Sequence, residues 1–119
     1  MVEINIFRSA SDAESFAPGT VLFCEGDDGD AMFAVVDGEI ELTRYGTRVE
    51  IVGPGGILGE MALIDSSKRS ATATTLTPAK VVRVDRQRFT FLVHEHPTFA
   101  LKVMAVMAER LRKANDAGR

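Results

Sequence analysis

A chain of 119 residues, 45% apolar and 26% charged, is long enough to bury the core of one domain and has an ordinary globular composition. Its net charge of −3 argues against nucleic acid as the main partner, and the single cysteine, Cys24, excludes an internal disulfide and cysteine-ligated metal clusters. The opening "MVEINIFRSASDAESF" has neither a basic start nor a long apolar run, and Lys102 and Glu109 bracket the longest apolar stretch, so neither a signal peptide nor a membrane partner is expected and the compartment is read as cytoplasmic.

The first fifteen residues read as a short helix or an irregular lead-in, since Ser11, Asp12 and Glu14 suit a helix start. From Phe16 the chain becomes short apolar runs broken by glycine-bearing turns, the pattern of an all-β roll. "MFAVV" and "EIELTRY" flank Asp37-Gly38 and predict a tight hairpin, because that turn needs positive φ. "GTRVEIV" is a further strand ended by Pro54-Gly55-Gly56, and "SATATTLT" and "AKVVRVD" follow as strands. Cys24 falls on a predicted strand as a small core residue.

Asp85 is a suitable N-cap for a helix over "RQRFTFLVHEH", and Pro97 ends it and opens the next. That last helix is apolar nearly all round from Phe99 to Ala108. Either it is buried within its own domain, or one face meets the roll while another meets a partner subunit or a ligand. The order is a β-rich body followed by two C-terminal helices, in one domain spanning 1–119: a lead-in over 1–15, a roll over 16–84 and helices over 85–115.

The chemistry concentrates in "GPGGILGEMALIDSSKRSATA". Its glycines permit close backbone approach to a ligand, and a short helical turn from Glu60 to Ile64 presents N–H groups suited to an anion. Arg69 offers a planar fork of donors matching a phosphate or carboxylate, Ser70 adds a hydroxyl, and Ala71 and Ala73 keep the wall low. Glu60 stands nine positions before Arg69 and cannot share a phosphate's place, but it can accept from hydroxyls nearby. The pair is either a salt bridge or a site for a ligand with an anionic end and a hydroxyl end, such as a ribose phosphate. As a ligand group, Arg69 is expected to contribute little to fold stability.

Gly59-Glu60-Met61-Ala62-Leu63 followed by Arg69-Ser70-Ala71-Thr72-Ala73 resembles the phosphate-binding cassette of cyclic nucleotide-binding domains, here over 56–73. That family includes catabolite activator proteins, protein kinase A regulatory subunits and prokaryotic cyclic-nucleotide-gated channels. "PGTVLFCEGDDGDAMFAVVDGEIEL" upstream and the helical stretch downstream are similar to the family as well, so the likeness covers most of 16–115. It implies an eight-stranded antiparallel, jelly-roll-like β-roll with two C-terminal α-helices. It also implies that Glu60 accepts from the ribose 2′-hydroxyl and that Arg69 pairs with the exocyclic phosphate oxygens. Backbone N–H groups from Gly59 to Ala62, and of Ser70 and Ala71, join them, with Leu58 filling an apolar site, Thr72 facing its strand and Ala73 lining the pocket.

The resemblance places base recognition on the last helix. Ala114 and Asn115 stand where some members carry two hydroxyl residues against adenine; Ala114 lacks the hydroxyl, while Asn115 keeps hydrogen-bonding capacity. Arg110, Arg112 or Lys113 could approach the base instead. Cyclic AMP is the expected ligand, ahead of cyclic GMP, and Ser70 does not separate the two. The implied function is a stand-alone regulatory domain that passes binding on through its C-terminal helices to an effector protein in trans, with a homodimer through the last helix as a further partner. The alternative is a ligand-independent interaction module with a vestigial pocket. No nucleophile, base and orienting group stand at recognisable spacing, so no enzyme is expected, and His94 and His96, two apart on a helix, chelate poorly, so no metal is expected either.

Overall fold

The computed structural model describes residues 2–117. Eight strands run in chain order as β1 (Glu14–Phe16), β2 (Val21–Phe23), β3 (Ala31–Asp37), β4 (Ile40–Arg44), β5 (Thr47–Val52), β6 (Ile57–Leu58), β7 (Thr72–Thr75) and β8 (Ala79–Asp85). The helices are α1 (Met61–Asp65), α2 (Arg86–Glu95) and α3 (Pro97–Ala117). Antiparallel pairing builds two four-stranded sheets, ordered β1-β8-β3-β6 and β2-β7-β4-β5. This is the jelly-roll order, in which consecutive strands alternate between the sheets except at the β4–β5 hairpin.

The first sheet is buried on both faces. Val35, Leu58 and Val81 point between the sheets, against Ile40, Leu42, Val52, Ala71 and Ala73 of the second sheet and its approach. Met32, Ala34, Val82 and Val84 point the other way, against Ile4 and Phe7 of the lead-in and Phe99, Val103 and Val106 of α3. Two-sided burial explains why "AKVVRVD" and "AMFAVVD" read as nearly continuous apolar runs. The lead-in forms turns rather than a helix before β1.

The hairpin expected at Asp37-Gly38 does not form. β3 and β4 belong to different sheets, and this turn carries the chain from one to the other. Gly38 adopts φ 84°, and a Cβ there would overlap the Pro78 carbonyl oxygen and crowd Ala79. The glycine thus serves a close approach of two backbones. The two-residue hairpin turn lies one strand later, at Tyr45-Gly46, where both residues have positive φ (53° and 78°) between the paired Arg44 and Thr47. Cys24 also departs from expectation: β2 stops at Phe23, and Cys24 is exposed just beyond it.

The Asp85 carboxylate accepts from the Arg88 N–H at 2.8 Å and so caps α2, and α3 begins at Pro97. α3 docks on the first sheet through one stripe, Phe99, Val103 and Val106. Each such buried side chain contributes on the order of 1.5–3 kcal/mol. The opposite stripe is open: Leu101 and Leu111 are each 63% exposed and Met104 55%. Among the described residues no helix is long and apolar enough to cross a membrane.

Candidate functional site

Gly59 takes φ 77°, and the chain then turns into α1 at Glu60, whose backbone is already helical and whose carboxylate makes no cap of its own. The side chain turns inward and is 3% exposed. Its ion-pair partner is Arg110 of α3, not Arg69. Arg110 Nη1 donates to Glu60 Oε1, Nε donates to Glu50 Oε1 at 2.9 Å, and Nη2 donates to Glu50 Oε2 at 3.2 Å and to the Ile57 carbonyl at 2.6 Å. One guanidinium therefore ties β5, the end of the glycine-rich loop and α3 together. Burial pulls its pKa down, but the two carboxylates outweigh that and hold it above the ordinary arginine value, so it stays charged.

Arg69 is held differently. Its backbone N–H donates to the Asp27 carbonyl at 2.8 Å, and its own carbonyl accepts from Gly26 N–H at 2.9 Å, so the loop after β2 fixes the main chain. The side chain runs into the roll and is 7% exposed. Nη1 donates to the Gly59 carbonyl at 3.0 Å and Nη2 to the Ala31 carbonyl at 2.7 Å. Cζ lies 4.2 Å from the centre of the Phe23 ring. Burial lowers the Arg69 pKa, with Asp30, Asp27 and Glu60 acting against it through space. Its Nε is the one buried side-chain polar atom among the described residues that has no hydrogen-bond partner. A donor buried that way costs about 1–3 kcal/mol unless something accepts from it.

Two glycines make room for this guanidinium. A Cβ on Gly29 would stand 2.6 Å from both Cζ and Nε of Arg69, and one on Gly59 would overlap Nη1. The expectation that Arg69 contributes little to fold stability does not survive this geometry. Its removal would leave two carbonyls without their donor and a cavity beside Phe23.

The structure brings Gly59, Glu60, Ala62, Arg69 and Arg110 to one place, with Leu58, Ala71 and Ala73 buried in the adjoining core. Ala62 lies against Gly29 beside Arg69, while Met61 on the same turn is 41% exposed. Ser70 is exposed and its carbonyl accepts from Arg44 Nε at 2.9 Å; Thr72 bonds to the turn just after β2, its hydroxyl accepting from the Glu25 N–H at 2.9 Å. Lys113, Ala114 and Asn115 lie exposed on the last turns of α3. Arg110 spends its donors on Glu50, Glu60 and Ile57, which leaves it little to offer a base.

Sequence reasoning missed Glu50, Phe23 and Gly29. Glu50 pairs across the sheet with buried Leu42, so it shares Leu42's inward face while Val49 and Ile51 are exposed. Alternation of apolar and polar residues would have turned Glu50 outward. A surface groove of about 640 Å3 lies elsewhere, lined by residues that include Asp12, Glu14, Arg83, Asp85, Arg88 and Phe91.

The sequence matches the family model described as cyclic nucleotide-binding domain over residues 13–96. It is 28% identical over 106 residues to the CRP-like cAMP-activated global transcriptional regulator of Mycobacterium tuberculosis, a match covering 85% of this chain and 47% of that protein. It is 30% identical over 118 residues to the cyclic AMP receptor protein of Thermus thermophilus, covering 95% of this chain and 55% of that one. The crystal structure of the Thermus thermophilus catabolite activator protein superposes with a TM-score of 0.78 at 30% identity, over 87% of this chain and 51% of that chain. The chain thus spans about half the length of the curated relatives it matches.

Removing Arg110 should expose how far the site depends on it. Arg110→Met leaves Glu60 buried without a cation and should lower stability by about 3 kcal/mol, the lower end for breaking a buried pair because Arg110 keeps some solvent contact. Urea unfolding measures this, and Arg110→Met combined with Glu60→Gln should recover part of the loss. A single variant as stable as the parent chain would show that the pair does not hold α3.

Proposed function

We infer the function from one premise: the chain belongs to the cyclic nucleotide-binding domain family. On that premise it is a regulatory binding module, and its ligand is cyclic AMP. Arg69 receives the exocyclic oxygens of the cyclic phosphate, Glu60 accepts from the ribose 2′-hydroxyl through the oxygen that Arg110 leaves open, and the backbone N–H groups of Gly59 to Ala62, Ser70 and Ala71 close the cradle. The observation that carries this reading is the buried, partnerless Nε of Arg69, a donor poised for an anion beside a loop that two glycines keep open.

The pocket and α3 are linked through Glu60 and Arg110, so a ligand hydroxyl on Glu60 changes what holds the helix. Binding then shifts the population of α3 positions, and an effector protein in trans reads that shift. The site's two carboxylates, Glu50 and Glu60, are both fixed on the Arg110 guanidinium, an arrangement that supports binding rather than acid–base catalysis.

Calorimetry of the chain with cyclic AMP, cyclic GMP and 5′-AMP tests this. Saturable binding should be tightest for cyclic AMP, and Arg69→Gln should weaken it by about 1.5–3 kcal/mol, the scale of a charged hydrogen bond. No saturable heat with either cyclic nucleotide at high micromolar concentration would remove the reading.

A second reading concerns the open stripe of α3. Leu101, Met104, Ala108 and Leu111 follow the three-four-three spacing of a coiled-coil seam, and three of them are more than half exposed. The occupant proposed is α3 of a second copy. Sedimentation velocity should show a dimer that Leu111→Glu converts to monomer; a monomer at high micromolar concentration before any substitution would overturn it.

A further inference from the structure

We propose that Phe23 is a positioning residue for Arg69, holding its guanidinium flat, charged and unneutralised for an anionic ligand. The proposal rests on the reading that Arg69 meets the ligand's phosphate. The ring centre lies 4.2 Å from Arg69 Cζ, within cation–π range, and Phe33 stacks on Phe23 with centroids 5.9 Å apart and planes 27° from parallel. Phe33 is itself 6.0 Å from the same Cζ. The guanidinium thus rests on a two-ring support built from β2 and β3, while the Gly59 and Ala31 carbonyls fix its Nη edge.

The chemistry of that support matters. A cation removed from water is usually stabilised by a carboxylate. No carboxylate is in ion-pair contact with Arg69 among the described residues; Asp30 pairs with Arg83, and Glu60 pairs with Arg110. A carboxylate on Arg69 would occupy N–H groups and cancel the charge that an anionic ligand needs. An aromatic face stabilises the cation without taking any in-plane N–H, and the carbonyls take only Nη donors, so Nε is left unused. Gly29 completes the fit, because a side chain there would drive into Cζ and Nε.

The test has two arms on the intact chain. The first is cyclic AMP affinity by calorimetry in five proteins: the parent, Phe23→Leu, Phe23→Tyr, Arg69→Gln and the Phe23→Leu/Arg69→Gln double variant. Phe23→Leu should weaken binding between about threefold and thirtyfold, the range that a cation–π contact spans. Phe23→Tyr, which keeps the ring face, should restore it. In the Arg69→Gln background Phe23→Leu should cost little more, because glutamine carries no cation for the ring to hold. Equal losses in both backgrounds would mean that Phe23 merely packs the roll, and would overturn the proposal. The second arm uses no ligand. The Arg69 Nε–H proton resonance should be displaced by ring current in the parent and in Phe23→Tyr, and should lose most of that displacement in Phe23→Leu, where only the more distant Phe33 ring remains. An undisplaced Arg69 resonance in the parent chain would overturn the proposal even if Phe23→Leu failed to fold. If the parent binds no cyclic nucleotide, the ligand reading falls by itself and the resonance alone decides the role of Phe23.

Discussion

A buried guanidinium with no carboxylate to neutralise it is the constraint around which this molecule is arranged. Arg69 is 7% exposed, yet its direct partners are two backbone carbonyls and an aromatic face. Such a group is expensive to bury, and the surrounding sequence is shaped by that cost. Gly29 and Gly59 lack side chains where the guanidinium lies, the loop after β2 bonds to the Arg69 main chain, and β3 supplies the Ala31 carbonyl at its first residue. The jelly roll brings these distant segments together, because its strand order places β2, β7 and β3 around one interior.

The second guanidinium has the opposite character. Arg110 sits between two carboxylates, and its charge is secured by both. It links α3 to β5 and to the start of α1, so the helix that ends the described chain is anchored where the glycine-rich loop ends. The two arginines divide the work. Arg110 is committed to carboxylates and holds α3; Arg69 helps hold the roll and keeps its Nε donor in reserve. On the reading proposed above, that division makes the same pocket both a receptor and a lever, since the group that accepts from the sugar also holds the helix.

Much of this was legible in the sequence. Glycine-broken apolar runs, the Asp85 cap and Pro97 gave the roll and both long helices, and Glu60 and Arg69 stood out by their chemistry beside the glycine-rich stretch and by the family resemblance. What was not legible has physical causes. Asp37-Gly38 has the chemistry of a hairpin turn, but its glycine answers a tertiary approach to Pro78 that no local pattern reveals. Glu50 points inward in phase with Val52, opposite the buried Leu42 and Ile40, against the local alternation of apolar and polar residues. Phe23 reads as an ordinary core residue until the fold sets its face under Arg69. The choice between a salt bridge and two separate roles for Glu60 and Arg69 was also open, because it depended on Arg110, fifty residues along the chain from Glu60.

The phosphorus resonance of cyclic AMP, followed as the intact chain is added, bears most directly on the claim that Arg69 keeps a donor for a phosphate. The account predicts a displacement that saturates with added protein and disappears when Arg69 is replaced by glutamine. A resonance that stays in place with protein in excess, or one displaced equally by the glutamine variant, would contradict it.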